Sequence, residues 1–176
     1  MLKQEFTYKK LDNFRRQVVK ESRKNAQKNS ASGDLAKSIT SKLNVSKNSF
    51  SLDFLMNEYG NFQDKGVKGA KSSAKAPNSP FKFGSGTGQK GGLRKSLDKW
   101  VIRKGIAPRT KEGKFMSRKS LTFLIARSIY RTGLKPTLFF TKPFEKNFAK
   151  LPDELITSFG LDVEDFVEFT LKNTFE

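Results

Sequence analysis

Residues 33–69, GDLAKSITSKLNVSKNSFSLDFLMNEYGNFQDKGVKG, limit the possible folds more than any other stretch of the chain. Phe50, Leu52 and Phe54 alternate with Ser51 and Asp53, the period of two that puts apolar side chains on one face of a strand. Ser38-Ile39-Thr40 and Leu43-Asn44-Val45 have the composition of a partner strand, and Ser46-Lys47-Asn48-Ser49 that of a turn. A β-hairpin over residues 38–58 is expected. A two-stranded hairpin is marginal in water and needs a surface to lie on. The stretch before it reads as an amphipathic helix, solvated or with its basic face turned to DNA or a neighbouring subunit. In residues 8–29, Leu11, Phe14, Val18 and Ala26 fall on one helical face, and Arg15, Arg16, Lys20, Arg23, Lys24 and Lys28 fall mostly on the other. Gly33 suits the left-handed conformation that ends a helix. The fold class implied is α+β, with a small antiparallel hairpin packed against several helices.

The hairpin leads into Tyr59, Phe62, Asp64 and Gly66, where an aromatic pair and an acid are closed by glycine. This corner marks where residues 65–95 leave the body. That segment is rich in Gly, Ser, Ala and Pro and lacks periodicity. It carries Lys65, Lys68, Lys71, Lys75, Lys82, Lys90, Arg94 and Lys95, and no acid lies between Asp64 and Asp98. Such a stretch within 176 residues reads as a flexible basic loop belonging to a single domain. Phe81 and Phe83 form an apolar island in it, suited to anchoring against a partner. Gly84-Ser85-Gly86-Thr87-Gly88-Gln89-Lys90-Gly91 resembles a nucleotide loop only in its glycines. The Walker pattern needs Gly-Lys followed by Ser or Thr, after a strand.

Helices are expected again from residue 93. LRKSLDKWVIRKG has Leu93, Leu97, Trp100 and Val101 on one face, with Trp100 read as core. SLTFLIARSIYRTG, capped by Ser117 or Ser120 and ended by Gly133, is apolar enough to be the central packing element. Pro136 and Pro143 keep the residues between them out of a helix, so Leu138-Phe139-Phe140 reads as a short strand or an extended plug. Phe144 and Phe148 begin a helix. Two short helices, 152–158 and 161–174, finish the chain, with Leu161, Val163, Phe166, Phe169 and Leu171 as contacts.

Charge bears most directly on function. There are 35 Lys and Arg against 17 Asp and Glu, a net of +18. Residues 151–176 hold seven acids (Asp153, Glu154, Asp162, Glu164, Asp165, Glu168, Glu176) and only Lys172, a net of −6, so the first 150 residues carry +24. This excess calls for a polyanionic neighbour, nucleic acid first and an acidic protein surface second. The acidic segment suits a basic face of another copy. The chain has 17 Phe but only 35% hydrophobic residues, so these rings belong either in a modest core or between subunits.

There is no Cys and no His, which removes thiol chemistry and the commonest general base and metal ligand. Asp53, Glu58 and Asp64 lie close enough in sequence for a cation site, but read better as surface or turn acids paired with bases. Asp162, Glu164 and Asp165 read as helix N-terminal charge. No catalytic set, cofactor or metal is expected. No apolar run is long enough to span a bilayer, and MLKQEFTYKK lacks a signal-peptide core.

Several of these features, in their order, resemble a known family. A helix is followed by Ser-Gly-Asp-Leu35-Ala-Lys-Ser38-Ile39, a hairpin, Tyr59, Phe62, Asp64 and Gly66, and a late Pro143-Phe144. This order is similar to the head–tail joining and tail-completion proteins of long-tailed bacteriophages. IARSIYRTGLKPTLFFTKPFEK looks like the neck or ring proteins of crAss-like phages. The chain departs from the pattern in its basic loop and in two extra helices before Pro143. The resemblance implies a structural virion protein of the neck, made in the host cytoplasm. It implies a homo-oligomeric ring, roughly twelve-fold or else six-fold, with a portal or adaptor ring above and tail proteins below. Double-stranded DNA would pass through without being read.

A monomeric, sequence-nonspecific nucleic-acid-binding protein is the alternative, and a phosphate-handling enzyme the third reading. The residues singled out are Arg15, Arg16, Arg23, Lys68, Lys71, Lys75, Lys82, Lys90 and Arg94 as contacts to DNA or to subunits. Phe81, Phe83, Phe139, Phe140, Phe144, Phe166 and Phe169 are candidates for subunit interfaces. Gly33, Leu35, Ile39, Tyr59, Phe62, Gly66 and Pro143 are candidates for the structural frame.

Overall fold

The structure is a computed structural model and describes residues 5–29, 32–46, 49–85, 92–110 and 112–174. The element around which the others gather is α1 (Glu5–Asn29). Its inner face runs through Thr7, Leu11, Phe14, Val18, Ser22 and Ala26, all buried and spaced by three or four residues. A short helix α2 (Asp34–Ser38) follows Gly33, whose φ of 72° is left-handed as expected. Strands β1 (Thr40–Ser46) and β2 (Ser49–Leu55) form the hairpin, antiparallel with Leu43 opposite Leu52. It starts later than residue 38, because Leu35 to Ser38 complete a helical turn that buries Leu35 and Ala36.

Two neighbouring cores stabilise this body. Leu11, Phe14, Val18 and Leu151 pack with the inward hairpin residues Leu43, Phe50, Leu52 and Phe54, and Ala26, Leu35, Ala36, Ile39 and Phe139 form the second cluster. Phe140 touches both. Five rings interlock through the first: Phe14 lies 6.2 Å from Phe54 and 5.8 Å from Phe144, Phe54 lies 5.4 Å from Phe140, and Phe144 stacks on Phe148 at 5.5 Å. Part of the phenylalanine load is therefore spent inside the subunit.

The Tyr59–Gly66 corner is a helix, α3 (Tyr59–Lys65), rather than a turn closing a strand. Gly66 follows with φ 71°, and a Cβ there would lie 2.6 Å from the Leu134 carbonyl oxygen. Only glycine lets β3 (Val67–Lys68) reach β4 (Gly133–Leu134), its antiparallel partner. Between these strands lie α4 (Gly92–Arg103) and α5 (Arg118–Thr132), packed on each other. Ser117 caps α5, its side chain accepting from the Ser120 N–H at 3.1 Å.

Helix α5 is not the central packing element. Thr122 and Ala126 are its buried residues, while Phe123 and Leu124 are about half exposed. Trp100, expected in the core, is 37% exposed on α4; Val101 is the buried residue there. Helix α6 (Thr141–Phe148) follows Pro136 and the turn at Leu138, with Pro143 buried in its first turn. The two C-terminal helices expected from the sequence are one, α7 (Leu151–Thr174), running unbroken through Gly160 and packing along α1.

Two buried aspartates tie distant parts of the chain together. Asp64, 2% exposed, accepts from the Phe140 N–H at 2.8 Å, the Thr141 N–H at 3.2 Å and the Thr141 hydroxyl, so it caps α6 from α3. Asp162, 1% exposed, accepts from the N–H groups of Phe6 and Thr7 at 2.9 and 3.0 Å and from the Thr7 hydroxyl at 2.6 Å. It sits within α7 and caps the N-terminus of α1, not of its own helix. Both satisfy helix-end donors that would otherwise be stranded.

Candidate nucleic-acid interface

The outer face of α1 repeats at the same interval as its inner face, and that period gathers its cations. Arg15, Arg16, Lys20, Arg23 and Lys24 line a groove of about 620 Å³ between α1 and the start of β1, closed by Val19, Gln27, Thr40 and Ser41. The arginines are held rather than loose. Asp12 pairs with Arg15 and, at 2.6 Å, with Arg16 Nε. Arg15 also donates to Ser41 Oγ at 3.4 Å, and Arg23 Nε donates to the Ile39 carbonyl at 2.9 Å. Among the described residues no carboxylate pairs with Lys20 or Lys24. Five cations set against one carboxylate leave a positive groove, with guanidinium forks fixed on one side and free on the other. Arginine held this way suits phosphate oxygens. Contacts to phosphate oxygens carry no base sequence information.

A second basic hollow, about 410 Å³, is lined by Lys68, Lys71 and Lys82 together with Ser72, Ser73 and Pro77. It forms because residues 66–85 are pinned to the chain, not open. The Ala70 and Lys71 N–H groups donate to the carbonyls of Tyr130 and Arg131. Lys68 and Phe83 donate to Phe81 and Lys68 in turn. Ser79 Oγ donates to the Gly66 carbonyl at 2.7 Å. The reading of 65–95 as one flexible loop is corrected for its described residues: β3 lies at one end, α4 begins at Gly92, and backbone hydrogen bonds fill much of the rest. Composition hid this, since the bonds follow no period and the Tyr130 and Arg131 carbonyls belong to a distant helix.

The other predicted residues disperse. Lys75 donates to Thr132 Oγ1 at 2.8 Å and is engaged within the chain. Arg94 lies over the Phe123 ring at 5.6 Å, lining a separate groove on α4 and α5. Lys90 lies outside the described residues. Phe81 packs edge-on against Phe62 at 4.6 Å, and Phe83 lies 5.9 Å from Tyr130. Their apolar island makes ring contacts within the chain and stays half-buried. Phe139 is 2% exposed, which corrects it from an interface to a packing residue; Phe140 and Phe144 are half-buried and pack in the cores. Phe166 is 39% exposed; the side chain of Phe169 lies outside the described residues. Of the frame residues, Leu35, Ile39 and Pro143 are buried, whereas Tyr59 and Phe62 are each more than 40% exposed.

Asp53 bonds to Asn44 at 3.1 Å on the hairpin while Asp64 is sealed beneath α6, so Asp53, Glu58 and Asp64 do not converge. Among the described residues no cluster of acids could hold a metal ion, and no helix is long and apolar enough to cross a membrane. Comparison with protein-family models, curated proteins and solved structures gives no match.

Sequence reasoning named Arg15, Arg16 and Arg23 but passed over Lys20 and Lys24 as site residues. Their spacing of four was the available signal. Lys68 and Lys82 are joined by a bridge between segments that no periodicity announces.

Proposed function

We propose that this chain is a structural subunit of a bacteriophage neck. It forms a ring between a portal or adaptor ring and the tail, with double-stranded DNA passing through the channel. The observation that carries the proposal is the Asp64 junction. The Tyr59–Gly66 stretch and the Pro136–Phe144 stretch bear the family resemblance, are more than 70 residues apart, and meet through the hydrogen bonds of one buried carboxylate. Two separate likenesses thus become one structural unit. The phosphate-suited groove on α1 agrees with a channel that contacts DNA without reading it. A ring also needs two different faces per subunit, and a body of +24 beside a segment of −6 provides unlike surfaces. No catalytic role is part of the proposal.

The basic groove also favours a second reading, a monomer that grips nucleic acid. Light scattering and negative-stain imaging of the purified chain, with duplex binding measured across salt concentrations, separate the two. The neck reading expects closed rings with a central channel. A monomer whose log affinity falls against log salt with a slope of about −4, as roughly five phosphate contacts imply, would replace it with the second reading.

A further inference from the structure

Helix α7 carries an exposed apolar stripe besides the face it buries. The face turned to α1 buries Leu151, Ser158 and Asp162, two of the three polar. Flanking that face, Ile156, Phe159, Val163 and Val167, spaced by three and four, stand at 74%, 50%, 38% and 47% exposure. A stripe at that spacing is what one helix presents to another. Nothing among the described residues covers it. Asp153, Glu164 and Asp165 are exposed on the same helix.

A matching surface exists elsewhere on the chain. Helices α4 and α5 frame an open groove of about 490 Å³ with Phe123, Leu124 and Met116 as apolar lining and Arg94 and Lys119 beside them. Residues 92–132 contain twelve Lys and Arg against Asp98 and Glu112, while residues 151–174 of α7 carry a net of −5. The α1 groove is as basic, but Val19 is the single apolar side chain lining it. Two copies of α7 placed together would oppose like charges.

We infer that the outward face of α7 seats in the α4–α5 groove of a second copy of this chain. The two faces differ, so the contact is heterologous: each subunit gives one face and receives the other, as a ring or a filament requires. The inference rests on the self-assembly in the neck reading and names the surfaces that carry it.

Ile156→Asp breaks the donor face and Leu124→Asp the acceptor face. Both positions are exposed enough (74% and 49%) to leave the subunit folded, which far-ultraviolet circular dichroism verifies. Light scattering should give an oligomer for the natural chain, a monomer for each variant, and a dimer for their equimolar mixture, since each variant keeps one intact face. The inference is overturned if Ile156→Asp keeps the natural mass, if the mixture stays monomeric, if Leu124→Asp alone dimerises through α7, or if the natural chain is itself monomeric. Rings indifferent to Ile156→Asp would sink this interface and spare the neck reading. Filaments abolished by Ile156→Asp, with no closed ring in images, would do the reverse.

Discussion

The body around α1 and the α4–α5 pair put their apolar side chains to opposite uses. In the body, Val18, Leu35, Ile39 and Phe139 are at most 2% exposed and belong to two adjoining cores, one of which draws on α1, both hairpin strands, α6 and α7. In the pair, Val101 and Ala126 are covered, while Trp100, Ile102, Ile106, Phe123, Leu124 and Tyr130 are each more than a third exposed. The difference lies in what each helix has around it. α1 is surrounded by α2, the hairpin, α6 and α7; α5 packs chiefly against α4 and β4. The body buries its apolar side chains, and the pair leaves many of its own in solvent.

The sharpest way to break this division is Phe139→Ala. The ring is fully enclosed, so its loss should cost about 3–5 kcal/mol, measured by urea denaturation. A cost near zero would mean that the body is as loosely held as the pair.

Asp162→Asn comes next and should cost about 1–2 kcal/mol at neutral pH, the scale of a lost helix cap. Burial pushes the Asp162 carboxyl upward, but hydrogen bonds from the Thr7 hydroxyl and from the backbone N–H groups of Phe6, Thr7 and Glu5 outweigh it and hold the group below the usual carboxylate range. Folding thus favours the ionised form. The stabilisation is complete above the unfolded value, about 3.9, and is lost as pH falls through the lower native one. The gap between natural and variant chains should close on acidification, and a gap independent of pH would contradict the assignment.

The smallest effect belongs to the pair. Ile102 is 55% exposed, so Ile102→Ser should move monomer stability by no more than about 0.5 kcal/mol, again read by urea denaturation. The sole tryptophan sits two residues away and offers a local readout: its emission should shift to the blue on assembly, and a spectrum already blue in the monomer would show the pair to be covered.

Much of the body was legible in the sequence, because Leu11, Phe14 and Val18 and then Phe50, Leu52 and Phe54 declare their periods within a dozen residues. The α4–α5 pair was legible as helices but not in its exposure. Trp100 and Phe123 look like core residues wherever they occur, and only the absence of neighbours reveals otherwise. The break expected near residue 160 reflected the poor helix propensity of glycine, a cost of about 1 kcal/mol that the packing of α7 on α1 offsets. Least legible were Asp64 and Asp162. Each looked like a surface acid or a cap for its own helix, and its true partners lie 76 to 77 and 155 to 156 residues away. The same distance hid the anchoring of residues 66–85 on α5. On α1 a helical period made the grouping legible, whereas Lys68, Lys71 and Lys82 could be named from their charge but not seen to converge, because pairing between distant segments gathers them.

The capping of α1 by Asp162 has a consequence for timing on the ribosome. Helix α1 waits for a carboxylate some 155 residues later, and its core partner Leu151 arrives almost as late. Contacts so distant in sequence form slowly and cannot form early. Translation must pass residue 162 before the body can close, by which point the α4–α5 groove has long since emerged. A product interrupted before that point would carry the α4–α5 groove beside a body whose core and α1 cap are unfinished.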